Sequence, residues 1–354
     1  MTKQLLQIRQ RKPTVQISWI LNNICTNHCD YCPPSLHSGT NHHYEWTHAK
    51  TFTERLLARY TQMHVSISGG EPTLSPHFRE LVDMFHSAGH TVGITSNGAR
   101  SVDWWRETAP QLSYICFSYH PGYPDPQFEE KVLAAADYTQ CTVRVMMDAS
   151  NWSHSLEAFN KFRAHGNIRT EAVRLLPELA NRRIPSCDYT PEQDRWLNET
   201  PPYDSVEQSY PLNPSHRHAD IGSEFYWSDG SLDEYGDSNY LLNTNRTDFR
   251  GWSCNIGLES LFIFWDGDVK KGNCHQGGVL FNIRDHHLHP LPDRGELCFQ
   301  PICHCGTDIL ITKVPVLAPD NPIIDQHSRE QISMIKSQEE YQRQHRRYIK
   351  IEPQ

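Results

Sequence analysis

The chain has no uninterrupted apolar run of the roughly 20 residues that a bilayer-spanning helix needs, so no membrane partner is expected. Its start, Met1-Thr2-Lys3-Gln4-Leu5-Leu6, carries no apolar leader core, which points to the cytoplasm. It also lacks an excess of positive charge. A formal net charge of −9 argues against a nucleic-acid backbone as main partner. Hydrophobic residues make up only 37%, yet enough for a core, and the charged share of 21% is ordinary for a soluble protein. Without a leader, the 11 cysteines do not read as a secretory disulfide framework; they fall in groups at metal-like spacings.

The first group is Cys25-x3-Cys29-x2-Cys32, three thiolates where an iron–sulfur cube has four irons to ligate. One iron would stay open for a small molecule. Ile17 to Leu21 reads as a buried strand, Asn22 to His28 as the turn leaving it, and aromatic Tyr31 precedes the last cysteine. A zinc site completed by His28 or His37 is the plain alternative. Further on, the β-branched run Met63 to Ser68 ends directly in Gly69-Gly70-Glu71-Pro72. Paired glycines at a strand end leave bare backbone that a ligand can approach.

These two motifs together resemble the radical S-adenosylmethionine superfamily. The resemblance implies a 4Fe–4S cluster on Cys25, Cys29 and Cys32 whose open iron chelates S-adenosylmethionine. One electron, from a flavodoxin- or ferredoxin-type donor, would then cleave it to a 5′-deoxyadenosyl radical. It further implies that Gly69, Gly70, Glu71 and Pro72 hold the methionine amino group. Ser96 or Asn97 would lie near the ribose and Ser118 near the methionine carboxylate, with Tyr31, Arg144 and Leu176 also on the cofactor.

The scaffold expected from the pattern is α/β. Strand Ile17 to Leu21 and a helix near Ala49 to Tyr60 form the first unit. Ser75-Pro76 caps a helix with the stripe Phe78, Leu81, Val82, Phe85, closed by Gly89. Strands follow at Thr91–Thr95, Leu112–Tyr119, Thr142–Met147 and Ala172–Leu176. Helices lie around Trp104, from Gln127 to Tyr138, from Ser155 to Ala164, and from Thr190-Pro191 to Leu197. Such alternation predicts a parallel sheet with helices outside, and the resemblance makes it a partial (βα)6 TIM-type barrel over residues 1–198. Chemistry then gathers at the C-terminal strand ends. Arg144 and Arg174 are candidates to point into the barrel. His120 reads as one solvated histidine among 21.

The second cysteine group comprises Cys254, Cys274, Cys298, Cys303 and Cys305. Leu261 to Phe264 and Val269 to Lys271 flank the turn Asp266-Gly267 as a hairpin between its first two members. This resembles a twitch domain, a shortened SPASM relative, over residues 251–313, and implies a second, auxiliary 4Fe–4S cluster. The run from Asp268 to Asn273 is longer than that pattern has. Cys254, Cys274, Cys303 and Cys305 are the favoured ligands, Cys298 the rival, and structural zinc the alternative. Residues 199–250 read as a connector or pocket wall with a hairpin at Glu224 to Trp227, and residues 314–354 as a tail with a polar helix from Ser328 to Lys350.

The resemblance implies an enzyme that abstracts hydrogen from an unactivated C–H bond. Auxiliary electron acceptance would make it a dehydrogenase. Hydrogen return from Cys116 or Cys187 would make it an epimerase. Such enzymes acting on peptides often carry an N-terminal peptide-binding domain, and few residues precede the strand at Ile17. A small-molecule substrate, a sugar or aminocyclitol, is therefore expected over a peptide or RNA. The reading of another class is a non-catalytic iron–sulfur or zinc protein.

Overall fold

The computed structural model describes residues 3–39, 44–176, 184–200, 222–285, 292 and 294–316. The polar helix expected at 328–350 lies outside them. Fifteen strands and eight α-helices are described, in two sheets.

Strands β1 (Leu5–Gln10) and β2 (Val15–Ile20) come first, then β3 (Met63–Ser68), β4 (Thr91–Ser96), β5 (Tyr114–Tyr119), β6 (Gln140–Met147) and β7 (Arg169–Arg174). Helices α1 (Trp46–Arg59), α2 (Phe78–Ser87), α3 (Val102–Thr108), α4 (Phe128–Ala136) and α5 (Trp152–Arg163) alternate with β2–β7, and α6 is Pro191–Glu199. Beyond them lie β8 (Ser223–Trp227), β9 (Leu232–Asp233), α7 (Ser238–Asn243), β10 (Trp252–Cys254), β11 (Ser260–Ile263), β12 (Asp268–Lys270), β13 (Val279–Asn282), β14 (Glu296–Leu297), α8 (Gly306–Ile309) and β15 (Lys313–Pro315).

Strands β2 to β7 pair in parallel and in chain order, the α/β arrangement the alternation predicts. One face of this sheet is apolar because alternate residues point the same way. Ile17, Trp19, Val65, Ile67, Val92, Ile94, Ile115, Phe117, Val143 and Val145 pack there on Phe52, Phe78, Phe85, Trp105 and Phe159 from the helices. Each fully buried side chain of this size contributes roughly 1.5–3 kcal/mol. The opposite face is polar. His64 Nδ1 meets Thr91 Oγ1 at 2.8 Å, and Ser66 Oγ meets the Tyr114 hydroxyl at 2.6 Å. The Tyr114 ring crosses Gly93, where any Cβ would collide with it.

Helix starts follow their caps. Ser101 accepts from the Trp104 amide, and Thr190 with Gln193 forms a reciprocal capping box on α6. Ser75 is not the cap expected of it: α2 begins at Phe78, after a 3-10 turn at Pro72–Leu74. β7 begins at Arg169, earlier than Ala172, because Arg169 to Glu171 are buried by charge pairing that hydropathy does not register.

Two pairings were not legible in the sequence. β11 runs parallel to β2, so the β11–β12 hairpin extends the main sheet on its β2 edge, with β13 beyond. The second sheet has the order β14-β10-β15-β1-β8-β9. There β1, a strand the polar sequence Gln7-Ile8-Arg9 concealed, lies between β15 and β8. The β8–β9 hairpin is the one expected at Glu224 to Trp227. Ile8, Phe225, Trp227, Leu241, Phe249 and Ile309 form the core of this sheet.

Candidate functional site

The cysteine loop leaves β2 and is clamped to the Gly-Gly-Glu-Pro turn that leaves β3. The amides of Gly70 and Glu71 donate to the carbonyls of Asn22 (2.9 Å) and Ile24 (2.7 Å), and Asn22 Nδ2 donates to the Glu71 carbonyl at 3.0 Å. This contact explains the glycines. A Cβ on Gly69 would lie 2.7 Å from the Asn22 carbonyl, and one on Gly70 would overlap the carbonyls of Ile24 and Leu36. The backbone brought close to them is therefore the cysteine loop. Both glycines stay half-buried, so their remaining backbone edge is reachable.

Glu71 and Pro72 are buried, Glu71 completely. The Glu71 carboxylate accepts from the Thr73 amide (3.1 Å), the Thr73 hydroxyl (2.5 Å), the Ser96 hydroxyl (2.9 and 3.0 Å) and the Asn97 amide (2.8 Å). Burial pushes its pKa up while these donors pull it down. It fastens the end of β4 to the end of β3. The Ser96 hydroxyl is held by Glu71. Asn97 is different. Its Nδ2 donates to Thr26 Oγ1 at 3.0 Å and lies 3.6 Å from Cys25 Sγ, while its buried Oδ1 has no partner in the structure.

Around the three thiols, the Asn27 amide donates to Cys25 Sγ at 3.4 Å, and His120 Nδ1 lies 3.5 Å from Cys29 Sγ and 2.9 Å from the Tyr31 hydroxyl. The Tyr31 and His120 rings stack at 6.0 Å, 12° from parallel. His120 was discounted in the sequence because histidines are numerous; its packing against the loop, invisible in one dimension, makes it part of the site. Burial pushes Cys29 up to about 11 and Cys32 up to about 12, with the neighbouring thiols adding to both, and raises Cys25 too. Burial pushes His120 down to about 4, so it is neutral.

Ser118 is nearly buried on the polar face of the sheet, opposite Arg144 in register. Arg144 gives its Nε to Glu171 at 2.8 Å and keeps a third of its side chain exposed. Glu171 also pairs with Arg169 at 2.6 Å, which reaches Asp237 at 3.6 Å, and accepts from Asn239 of α7. Arg174 does not enter this face; it binds Asp194 and Asn198 of α6. Leu176, half-buried, follows the end of β7. Cys116 is 3% exposed, beside Thr95 and Thr142 in register, and is raised by burial. Cys187, partly exposed, sits in a turn whose Ser186 hydroxyl donates to Asp30 of the cysteine loop at 3.2 Å.

The second group gathers around Lys313 and Asp308. Lys313 and Asp308 are both buried, and Lys313 is coupled electrostatically to Cys254, Cys303 and Asp308. Burial pushes Cys274 and Cys305 up to about 12 and raises Cys254, Cys298 and Cys303. Amides two residues on reach the thiols of Cys254, Cys274, Cys298 and Cys305. Cys303 lies within the apolar core of the second sheet, and Cys298 borders it.

All eight thiols are free, and soft, buried sulfur sets of this kind suit iron–sulfur clusters or zinc. Among the described residues no three cysteine, histidine or acidic side chains close around a point as a lone metal ion requires. Ligands of a cube sit on separate irons and stand further apart. The thiols of Cys25, Cys29 and Cys32, with the reachable Gly69-Gly70 backbone and the orphan Asn97 Oδ1, fit a cluster and a small molecule beside it.

A parallel α/β sheet thus carries a three-thiol loop at its C-terminal edge. Residues 19–177 match the family model of the Radical SAM superfamily. Two curated relatives are 7-carboxy-7-deazaguanine synthases. That of Neisseria meningitidis is 28% identical over 109 residues, 31% of this chain and 46% of the relative; that of Haemophilus influenzae is 24% identical over 126 residues, 36% and 52%. The chain spans about half the length of these relatives. Among solved structures, anSMEcpe with bound AdoMet and Cp18Cys peptide gives a TM-score of 0.46 at 15% identity, covering 77% of this chain and 78% of that one. Streptococcus suis SuiB bound to S-adenosylmethionine gives 0.42 at 10%, covering 75% and 61%. No described helix is long and apolar enough to cross a membrane.

Proposed function

We propose that this chain is a radical S-adenosylmethionine enzyme acting on a C–H bond of a small polar substrate. The observation that carries the reading is the clamp between the cysteine loop and the Gly69-Gly70 turn, with Asn97 beside Cys25 and its buried Oδ1 unpartnered. When bound, a 4Fe–4S cluster with its open iron supplies the electron that cleaves S-adenosylmethionine to methionine and a 5′-deoxyadenosyl radical. Cys25, Cys29 and Cys32 would hold it, and the Gly69 and Gly70 backbone would receive the methionine amino group. Asn97 Oδ1 would accept a hydrogen bond from the ribose. Ser118 and the exposed end of Arg144 would face the carboxylate. Glu71 and Ser96 keep these groups in register.

The substrate would rest against the polar face that carries Tyr114, Cys116 and Arg144. The deazaguanine-type product named for the two relatives supports a small heterocycle; the sugar or aminocyclitol expected from sequence has no support and is dropped. Cys254, Cys274, Cys303 and Cys305, or Cys298 in place of one of them, would hold a second 4Fe–4S cluster. A flavodoxin- or ferredoxin-type donor would supply electrons.

Anaerobically reconstituted protein with a strong reductant is expected to release 5′-deoxyadenosine slowly from S-adenosylmethionine alone. Replacing Cys25, Cys29 and Cys32 together by alanine abolishes this and halves an iron content near eight per chain, four for each of two cubes. Undiminished cleavage in the triple variant overturns the cluster assignment. No cleavage in the starting protein favours a non-catalytic metal protein. Acceleration by peptides and not by small heterocycles would move the substrate to the peptide class.

A further inference from the structure

Lysine is almost never fully buried without a partner of opposite charge. Lys313 is 2% exposed, and its Nζ donates to three backbone carbonyls, those of Asp308, Ile309 (3.3 Å) and Ile311 (3.1 Å), around the end of α8. These carbonyls, with a further hydrogen bond to the Cys254 side chain, hold the ammonium in place. Carbonyls orient a charge without neutralising it, and a buried charge is costly until an anion answers it. Asp308 is the one carboxylate that acts on it, and burial raises that carboxyl, which weakens it as a standing anion.

The remaining partners are thiols. In the antiparallel ladder of β10 and β15, Cys254 and Lys313 are direct cross-strand partners. Such pairs share a face of the sheet, with Cβ atoms roughly 4.5–5.5 Å apart. Lys313 is coupled to Cys303 as well as Cys254. A neutral thiol offers an ammonium little, whereas a metal-bound thiolate offers a full negative charge. The ring of Phe249, 5.4 Å from Nζ, closes the apolar side and keeps water from screening the pair.

We propose that Lys313 is the fixed counter-cation of the C-terminal cysteine group in its metal-loaded state. It is a positioning residue that stabilises the Cys254 thiolate and favours the more reduced cluster. The proposal rests on the reading that this group holds an iron–sulfur cluster. Each electron added to a thiolate-ligated cube increases its negative charge, so a cation fixed beside it makes reduction easier.

The test uses full-length chain with Cys25, Cys29 and Cys32 replaced by alanine, so that only the C-terminal cluster is read. Iron content and an EPR-monitored redox titration are compared for Lys313, Lys313→Met, Lys313→Gln and Lys313→Arg. Lys313→Met is expected to lose the iron, or to keep it with the reduction equilibrium shifted at least tenfold towards the oxidised form, about 59 mV for one electron. Lys313→Gln, which can still donate to the carbonyls but carries no charge, should shift the same way, and Lys313→Arg should restore the starting value. An unchanged potential in Lys313→Gln means that the lysine only caps α8, and overturns the proposal even where Lys313→Met fails to fold. A background protein that binds one zinc and no iron overturns the cluster reading itself, and the counter-cation role with it.

Discussion

The buried carboxylate of Glu71 accepts the backbone amide of Asn97 at 2.8 Å, and the side chain of that same asparagine lies 3.6 Å from Cys25 Sγ. A carboxyl group with no surface of its own therefore sets where the edge of the thiol site stands.

Glu71→Gln turns one acceptor oxygen into a donor facing Thr73, Ser96 or Asn97. A buried group left facing its own kind costs about 1–3 kcal/mol. Chemical denaturation should report a loss of that size, and 5′-deoxyadenosine yield should fall more than S-adenosylmethionine binding. Unchanged yield would mean that the β3–β4 tie is irrelevant to the site.

Gly70→Ala forces a methyl into the carbonyls of Ile24 and Leu36, both backbone atoms that cannot rotate aside. The cysteine loop must lift from the turn. The expected result is loss of the N-terminal cluster's half of the iron, with the C-terminal half retained. Full iron content in this variant would contradict the clamp.

The five C-terminal cysteines exceed the four places of a cube. Amides reach Cys254, Cys274, Cys298 and Cys305, while Cys303 is buried within the apolar cluster of Ile8, Phe225 and Ile309 that the half-buried Cys298 only borders. On that geometry Cys298→Ala should lose C-terminal iron and Cys303→Ala should keep most of it, judged by iron analysis and Mössbauer spectra. The reverse result restores the ligand set that sequence order favoured.

Asp237 is buried beside Arg169 and Glu171 and is pushed up to about 6, chiefly by burial. The folded carboxyl thus holds its proton to higher pH than the unfolded chain does. Its stabilising contribution is full below about pH 4, near the unfolded pKa, and is lost as pH rises through about 6. Asp237→Asn should flatten stability against pH across that window. A denaturation series from pH 4 to 8 checks it; an identical slope in both proteins would show that another group titrates there.

Much of the main sheet was readable because its outward strand residues are apolar and a helix start such as Thr190-Pro191 is marked by its own cap. The two motifs of the site, at Cys25–Cys32 and Gly69–Pro72, were readable as contiguous text. What escaped was long-range. Nothing local marks Gln7-Ile8-Arg9 as a strand; it becomes one because β8 and β15 flank it. His120 joins Cys29, and Lys313 joins Cys254, only through packing of distant segments. Glu71 was recognised as part of the motif, but its saturation by Thr73, Ser96 and Asn97 could not be seen without coordinates.

The place of β1 between β8 and β15 also orders the birth of the molecule. A ribosome delivers Leu5–Gln10 first and Lys313–Pro315 near the last of the described residues, yet Ile8 and Lys313 face each other across one ladder. β1 must wait, unpaired on that side, until the other described strands have been made. Ladders of such high contact order close late. The cysteine loop and its glycine turn, by contrast, need little beyond β2 to β4. The N-terminal thiol site can therefore take shape early in synthesis, while the Cys254–Lys313 pairing forms only once β15 has been made.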